Sequence, residues 1–214
     1  MSDIFREVDE DLRREKAEAL WKKYGSYVLI VVLAIVLGTA GRVGWKNYRE
    51  AQLAETATRY QAVLEQAARD PGNAAAQALQ AAQGELGEGY GRLSQLHQAA
   101  ELSRAGDLAG AIAVYDRLAA SNDPTLAGLA SLLAGAKLIE AGERDQARGR
   151  LTSLVDARSP WRFTAGELLA VIDLEEGKRE AARDKYQALS EDAEAPANLR
   201  ARAAQMVRIL ERPA

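Results

Sequence analysis

The chain has 214 residues, with 28 Lys and Arg against 31 Asp and Glu, a net charge of −3. It carries no cysteine and one histidine, His97, which excludes disulfides, thiolate metal sites, a cysteine nucleophile and any centre built on several histidines. The near-neutral balance excludes a polybasic nucleic-acid binder, and abundant Ala, Leu, Arg, Glu and Gln beside two Phe and five Pro point to an all-α protein.

Residues 1–23 form a charged tail with six basic against seven acidic residues. From residue 3 it reads as an amphipathic helix, with Ile4, Phe5, Val8, Leu12, Leu20 and Trp21 at helical spacing. Such a helix lies on a membrane or touches a partner; the alternative is a solvated tail. Tyr24 to Gly41 then holds 18 residues without a charge, nine of them Leu, Ile or Val. As a helix this reaches roughly 27 Å, close to the roughly 30 Å hydrocarbon core of a bilayer. Trp21, Lys22, Lys23, Tyr24 and Tyr27 on one side, and Arg42, Trp45, Lys46, Tyr48 and Arg49 on the other, suit the headgroup level. Residues 24–44 are therefore expected to cross a membrane and to meet lipid.

Two other readings compete. A buried core helix would keep a polar stripe, and this stretch has none. A signal peptide cut after Ala40 is allowed by Gly38-Thr39-Ala40, but the preceding 23 residues are long and acidic for such a leader. An uncleaved anchor is favoured. Arg13, Arg14, Lys16, Lys22 and Lys23 before the span, against Arg42, Lys46 and Arg49 after it, place the N-terminus in the cytoplasm by the positive-inside rule. The C-terminal part is then exported, to the periplasm in a Gram-negative cell. After residue 41 roughly 173 residues remain, enough for one domain with a real core.

Residues 45–89 read as a long helix to Ala68 that continues the span, a stop at Arg69–Asn73, where Pro71 and Gly72 punctuate, a short helix from Ala74 to Glu85, and a glycine-rich loop over residues 84–91. These segments are weakly patterned and are not assigned to a repeat.

Residues 90–193 repeat. Three first helices end in Gly106, Gly142 and Gly177, spaced 36 and 35 apart, where a glycine takes the left-handed conformation cheaply. Five residues later stand Ala111, Ala147 and Ala182; then Tyr115, Leu151 and Tyr186; then Leu118, Leu154 and Leu189. Ala99, Gly135 and Ala170 lie twelve residues before those alanines. Each unit ends in a turn with proline, at Pro124, Pro160 and Pro196, and Asp123 or Ser159 can cap the helix that follows. Residues 194–214 carry a final capping helix from Ala197 to Leu210, which a solenoid needs.

The period, the small residue of the first helix, the alanine of the second, the large apolar residue four later and the junction proline resemble the tetratricopeptide repeat. The early Trp of that family is replaced by Gln95, Ser131 and Gly166; an irregular α-helical bundle is the alternative. The whole architecture further resembles the YfgM-like family of ancillary SecYEG translocon subunits. Val43-Gly44-Trp45, Tyr90-Gly91, Ser159-Pro160-Trp161 and Gly166-Glu167-Leu168-Leu169 carry that similarity. It implies a single-pass protein of the bacterial inner (plasma) membrane that meets the translocon and exported or chaperone proteins.

No catalytic constellation stands out. His97 sits mid-helix without a nucleophile and acid to complete a triad. Gly84, Gly87, Gly89 and Gly91 lack the Gly-Lys-Ser/Thr ending of a phosphate loop. No enzyme activity, cofactor, metal or nucleic acid is expected. In the tetratricopeptide family the first helices line a groove, here Leu93, Leu96, Ala100, Leu129, Leu132, Ala136, Ile139, Val171 and Leu174. An apolar groove suits unfolded or hydrophobic client segments; alternatively, these residues are core covered by helices of residues 45–85. The Lys and Asn of carboxylate-clamp versions of the family are absent: Leu96, Leu132 and Glu167 hold those places. The expected function is a membrane-anchored protein-interaction module beside the translocon with a chaperone-related role, and the alternative is a scaffold for another envelope machine, in cell division or outer-membrane assembly.

Overall fold

The computed structural model describes residues 2–212, with the side chains of residues 2–20, 25, 26, 28 and 32 outside the description. The apolar stripe expected at Ile4, Phe5, Val8, Leu12 and Leu20 falls outside the described side chains. All regular structure among the described residues is helical: α1 (Ser2–Arg69), α2 (Asn73–Ala82), α3 (Gly87–Arg104), α4 (Leu108–Ala119), α5 (Pro124–Glu140), α6 (Arg144–Asp156), α7 (Arg162–Glu175), α8 (Arg179–Glu191) and α9 (Ala197–Leu210). The chain divides into two units, Met1–Glu55 and Thr56–Ala214, and α1 contributes to both.

In the first unit the apolar stretch is laid bare. Leu29, Ile30, Val31, Leu33, Ile35, Val36 and Leu37 are all more than half exposed. Within Leu29–Arg69 the most apolar window has a mean hydropathy of 1.6, and none of it is buried. A core helix of a soluble domain hides its apolar face, so that reading does not hold. Among the described residues this is one helix long and apolar enough to cross a membrane.

The second unit is a succession of helical hairpins built on one repeated device. Gly106, Gly142 and Gly177 have φ of 85°, 81° and 76°. At each, the amide of the following residue bonds back to the carbonyl five positions earlier: Asp107 to Leu102 (2.9 Å), Glu143 to Leu138 (2.8 Å) and Lys178 to Asp173 (2.8 Å). These are three copies of the glycine stop that satisfies orphan carbonyls at a helix end. Asp107 accepts from the Gly110 amide at 2.8 Å, and Asp123 from the Thr125 and Leu126 amides at 2.9 and 3.1 Å, with Pro124 opening α5. Ser159 does not cap α7 as expected. Its hydroxyl accepts from the Trp161 amide at 3.3 Å within a turn, and α7 starts later, at Arg162.

From α2 to α9 each helix packs on its neighbour in the chain, and α5 also meets α7, and α7 meets α9. Three clusters follow the seams: Ala99, Ala111, Val114, Tyr115 and Leu118 with α5; Leu132, Leu138, Ala147, Leu151 and Leu154 with α7; Ala170, Ala182 and Tyr186 with α9.

Two expectations are corrected. Gly87, Gly89 and Gly91 belong to α3, and the turn shrinks to residues 83–86. A Cβ at Gly91 would lie 3.1 Å from the Gln83 carbonyl oxygen, so the missing side chain lets α3 pack closely on the end of α2. Residues 56–82 also form a hairpin. Ala67, Val63 and Leu64 of α1 pack on Ala75 and Leu79 of α2, and Tyr60 meets the rings of Tyr90 and His97 on α3, with centroids 5.1 and 6.2 Å apart.

One carboxylate is buried in the stack. Asp173 of α7 is 2% exposed and accepts from Arg148 of α6, at 2.9 Å, and from Lys185 of α8. Burial alone raises its pKa, but the hydrogen bonds and charges of Lys185 and Arg148 outweigh it and hold the carboxyl below its ordinary value of 3.8. Asp173 therefore stabilises the fold fully above the unfolded carboxyl's pKa, and that contribution is lost as pH falls through the depressed folded value. Asp173→Asn is expected to cost about 2 kcal/mol, less than the roughly 3–5 of a fully buried pair, because both partners reach solvent. Denaturant melts of wild type and variant between pH 2 and 7 will show the loss above pH 5 and a convergence in acid; equal stability throughout contradicts it. At the end of α6 the sequence has Arg158, not Gly, in the left-handed region, with φ 50°. Arg158→Gly removes that strain and is expected to raise stability by about 1 kcal/mol, or about 2–4 °C in Tm; a lower Tm contradicts it.

Candidate functional site

The face formed by the first helices of the hairpins, α3, α5 and α7, is set by the same turns and small residues. Ala99, Gly135 and Ala170 are buried in the seams, and positions one residue on and three residues back lie on the adjoining flank of each helix, about 100° and 60° round from them. On α3, Leu93 is 43% exposed and Ala100 is exposed. On α5, Leu129, Ala136 and Ile139 are half-buried, and on α7 Val171 and Leu174 are half-buried.

These residues do not form one uniform groove. Leu132 is 6% exposed and belongs to the core between α5 and α7, with Ile139 packed on the same cluster. Leu96 packs against the α3–α4–α5 cluster, and Leu174 against the cluster shared with α9. Direct packing of α5 on α7 and of α7 on α9 draws Leu132 and Leu174 into the seams. Leu93, Ala100, Leu129, Ala136 and Val171 lie outside the four core clusters. Leu93 and Ala100 remain exposed beside the hairpin of residues 56–82. His97, beside them on α3, is exposed and meets the ring of Tyr60 edge-on.

Glu167, the one acidic interruption of this face, is matched within the chain. Arg202 of α9 donates to both its carboxylate oxygens, from Nε at 3.0 Å and from a terminal nitrogen at 2.7 Å. That hydrogen bond, with the carboxylate's charge, raises the Arg202 pKa. The planar fork gives the pair geometric specificity. Nearby, burial first and Glu167 second push the Tyr186 phenol up.

Arg202 escaped the sequence reading although a signal was available. It stands 35 residues after Glu167, one repeat period, and thus occupies the matching position on the next first helix. Asp116 and Arg150, 34 residues apart, are paired across α4 and α6 in the same way. No group of His, Cys, Asp and Glu able to hold a metal occurs among the described residues.

The family model of the tetratricopeptide repeat-like domain matches residues 18–208, so the match takes in the apolar stretch as well as the hairpins. Comparison with curated proteins and with solved structures returned no match. Domains of this kind are typically scaffolds for protein partners, and by its own repeats, and by a match over most of its length, the chain belongs to the tetratricopeptide repeat-like domain family.

Proposed function

We propose that the protein is a single-pass, membrane-anchored interaction module that meets apolar segments of exported proteins beside the SecYEG translocon. The observation that carries this reading is the inner face: Leu93 and Ala100 are exposed, and Leu129, Ala136 and Val171 stand half-open beside them. Apolar side chains left in water on a rigid scaffold mark a contact surface for another apolar group. Arg202 neutralises Glu167, so the face offers little charge to an incoming chain. Segments in transit across a membrane are unfolded and expose such groups.

The anchor is the unburied apolar stretch of α1. Its flanking Lys and Arg residues support a cytoplasmic N-terminus and a periplasmic repeat unit, in an inner-membrane protein. The resemblance to the YfgM-like family supports the translocon as the neighbour and a chaperone-related role.

The test is crosslinking in intact membranes, gentle solubilisation, affinity capture of the full chain, and mass spectrometry. Translocon subunits and exported chains are expected together, and Leu129→Glu with Leu93→Glu is expected to lower recovery of exported chains at least fivefold with Tm unchanged. Capture of division or outer-membrane assembly proteins without translocon or exported chains would replace this reading with an envelope scaffold. The full chain is also expected to stay in the membrane pellet after alkaline carbonate extraction. Release into the supernatant would sink the anchor.

A further inference from the structure

A second surface runs along α4; α2 and α3 form the other wall of its first part, and the turn at residues 83–84 with the start of α3 forms that of its second. Two open clefts of about 520 and 470 Å³ follow one another along α4 and share one residue, Arg117. The first runs from Gly110 to Arg117 and the second from Arg117 to Ser121. From Gly110 to Ser121 the trough is roughly 17 Å long at helical rise. That length matches about five residues of extended chain.

Its walls are amide-rich. Gln77 and Gln80 of α2, Gln83 after it, and Gln95 and Gln98 of α3 line the two clefts. Gln98 is 4% exposed and fixed at both ends of its amide. Its oxygen accepts from Gln83 at 2.8 Å, and its nitrogen donates to Gln80 at 3.3 Å. The buried amide thus holds two flanking amides in place along the trough. Side-chain amides both donate and accept, so they match the N–H and C=O groups of an extended backbone whatever its sequence.

The charge is one-sided. Arg117 is exposed and, among the described residues, has no ion pair or hydrogen bond. The acids that line the clefts are engaged: Glu88 by Arg92, and Asp107 by the Gly110 amide. The next seam of the stack differs, because Asp116 of α4 and Arg150 of α6 close it with an ion pair. Between α2 and α4 no ion pair bridges the described side chains, and α2 carries no charge at all.

We propose that this trough binds an extended segment of a partner protein, with its backbone on the glutamine amides and an Asp or Glu side chain on Arg117. It is separate from the apolar face and takes a different chemistry. A guanidinium fork suits a carboxylate in two-point contact.

The test is a random heptapeptide library selected against the full-length chain in detergent, followed by fluorescence anisotropy with the recovered peptides. Peptides that carry Asp or Glu are expected. Replacing that acid by Asn or Gln, or making Arg117→Gln in the protein, should weaken binding about tenfold, with no change in Tm. Leu93→Glu and Leu129→Glu should leave it unchanged, so failure here is distinct from failure of the apolar face. Recovery of purely apolar peptides that are lost with Leu129→Glu would overturn the proposal. So would acidic peptides that bind Arg117→Gln as tightly as wild type.

Discussion

The stack depends on how closely consecutive helices can approach. Six small residues set that distance: Ala99 with Ala111, Gly135 with Ala147, and Ala170 with Ala182, all buried. Gly135 shows how little room there is, since a Cβ there would stand 2.9 Å from the Leu151 side chain. With backbones this near, one large residue per hairpin fills the seam: Tyr115, Leu151 and Tyr186, each at most 4% exposed. Interiors are packed too densely to absorb an added methyl without movement elsewhere. Fixed helix spacing in turn fixes which side chains of α3, α5 and α7 reach the inner face.

Those features were legible because each is a local rule repeated at a fixed period. A left-handed stop wants glycine, a close crossing wants Ala or Gly, and a cap wants Asp before Pro. The first hairpin was not legible. In residues 74–82 alanine is so common that the packed ones, Ala75 and Ala76, look like the exposed ones, Ala74 and Ala81. Gly87, Gly89 and Gly91 signalled a loop by propensity, yet tertiary packing on α2 holds them in a helix; propensity is a weak prior that tertiary context overrides. Asp173 was hidden for the opposite reason. A single acid in an apolar run looks like an exposed interruption, and only the three-dimensional fold brings Arg148 and Lys185 to it.

Of the residues expected on the inner face, Leu93 and Ala100 are exposed. The depth of each residue could not be read from the sequence, because it depends on contacts between alternate helices. Where α5 touches α7, Leu132 sinks into the core; on α3, Leu93 remains open. The same logic explains why charge pairs such as Glu167 with Arg202 recur at one period: equivalent positions on successive first helices are spatial neighbours, as in other solenoids. In the first unit the apolar stretch of α1, long enough to cross a membrane, is left bare.

The most direct test of the proposed function is a photocrosslinking amino acid placed singly at Leu93 on α3 and at Gly149, an open and exposed position on α6, with each full-length variant irradiated in intact membranes. Crosslinks to exported chains from Leu93 and none from Gly149 are the predicted result. Equal crosslinking from both positions, or none from Leu93, would contradict it.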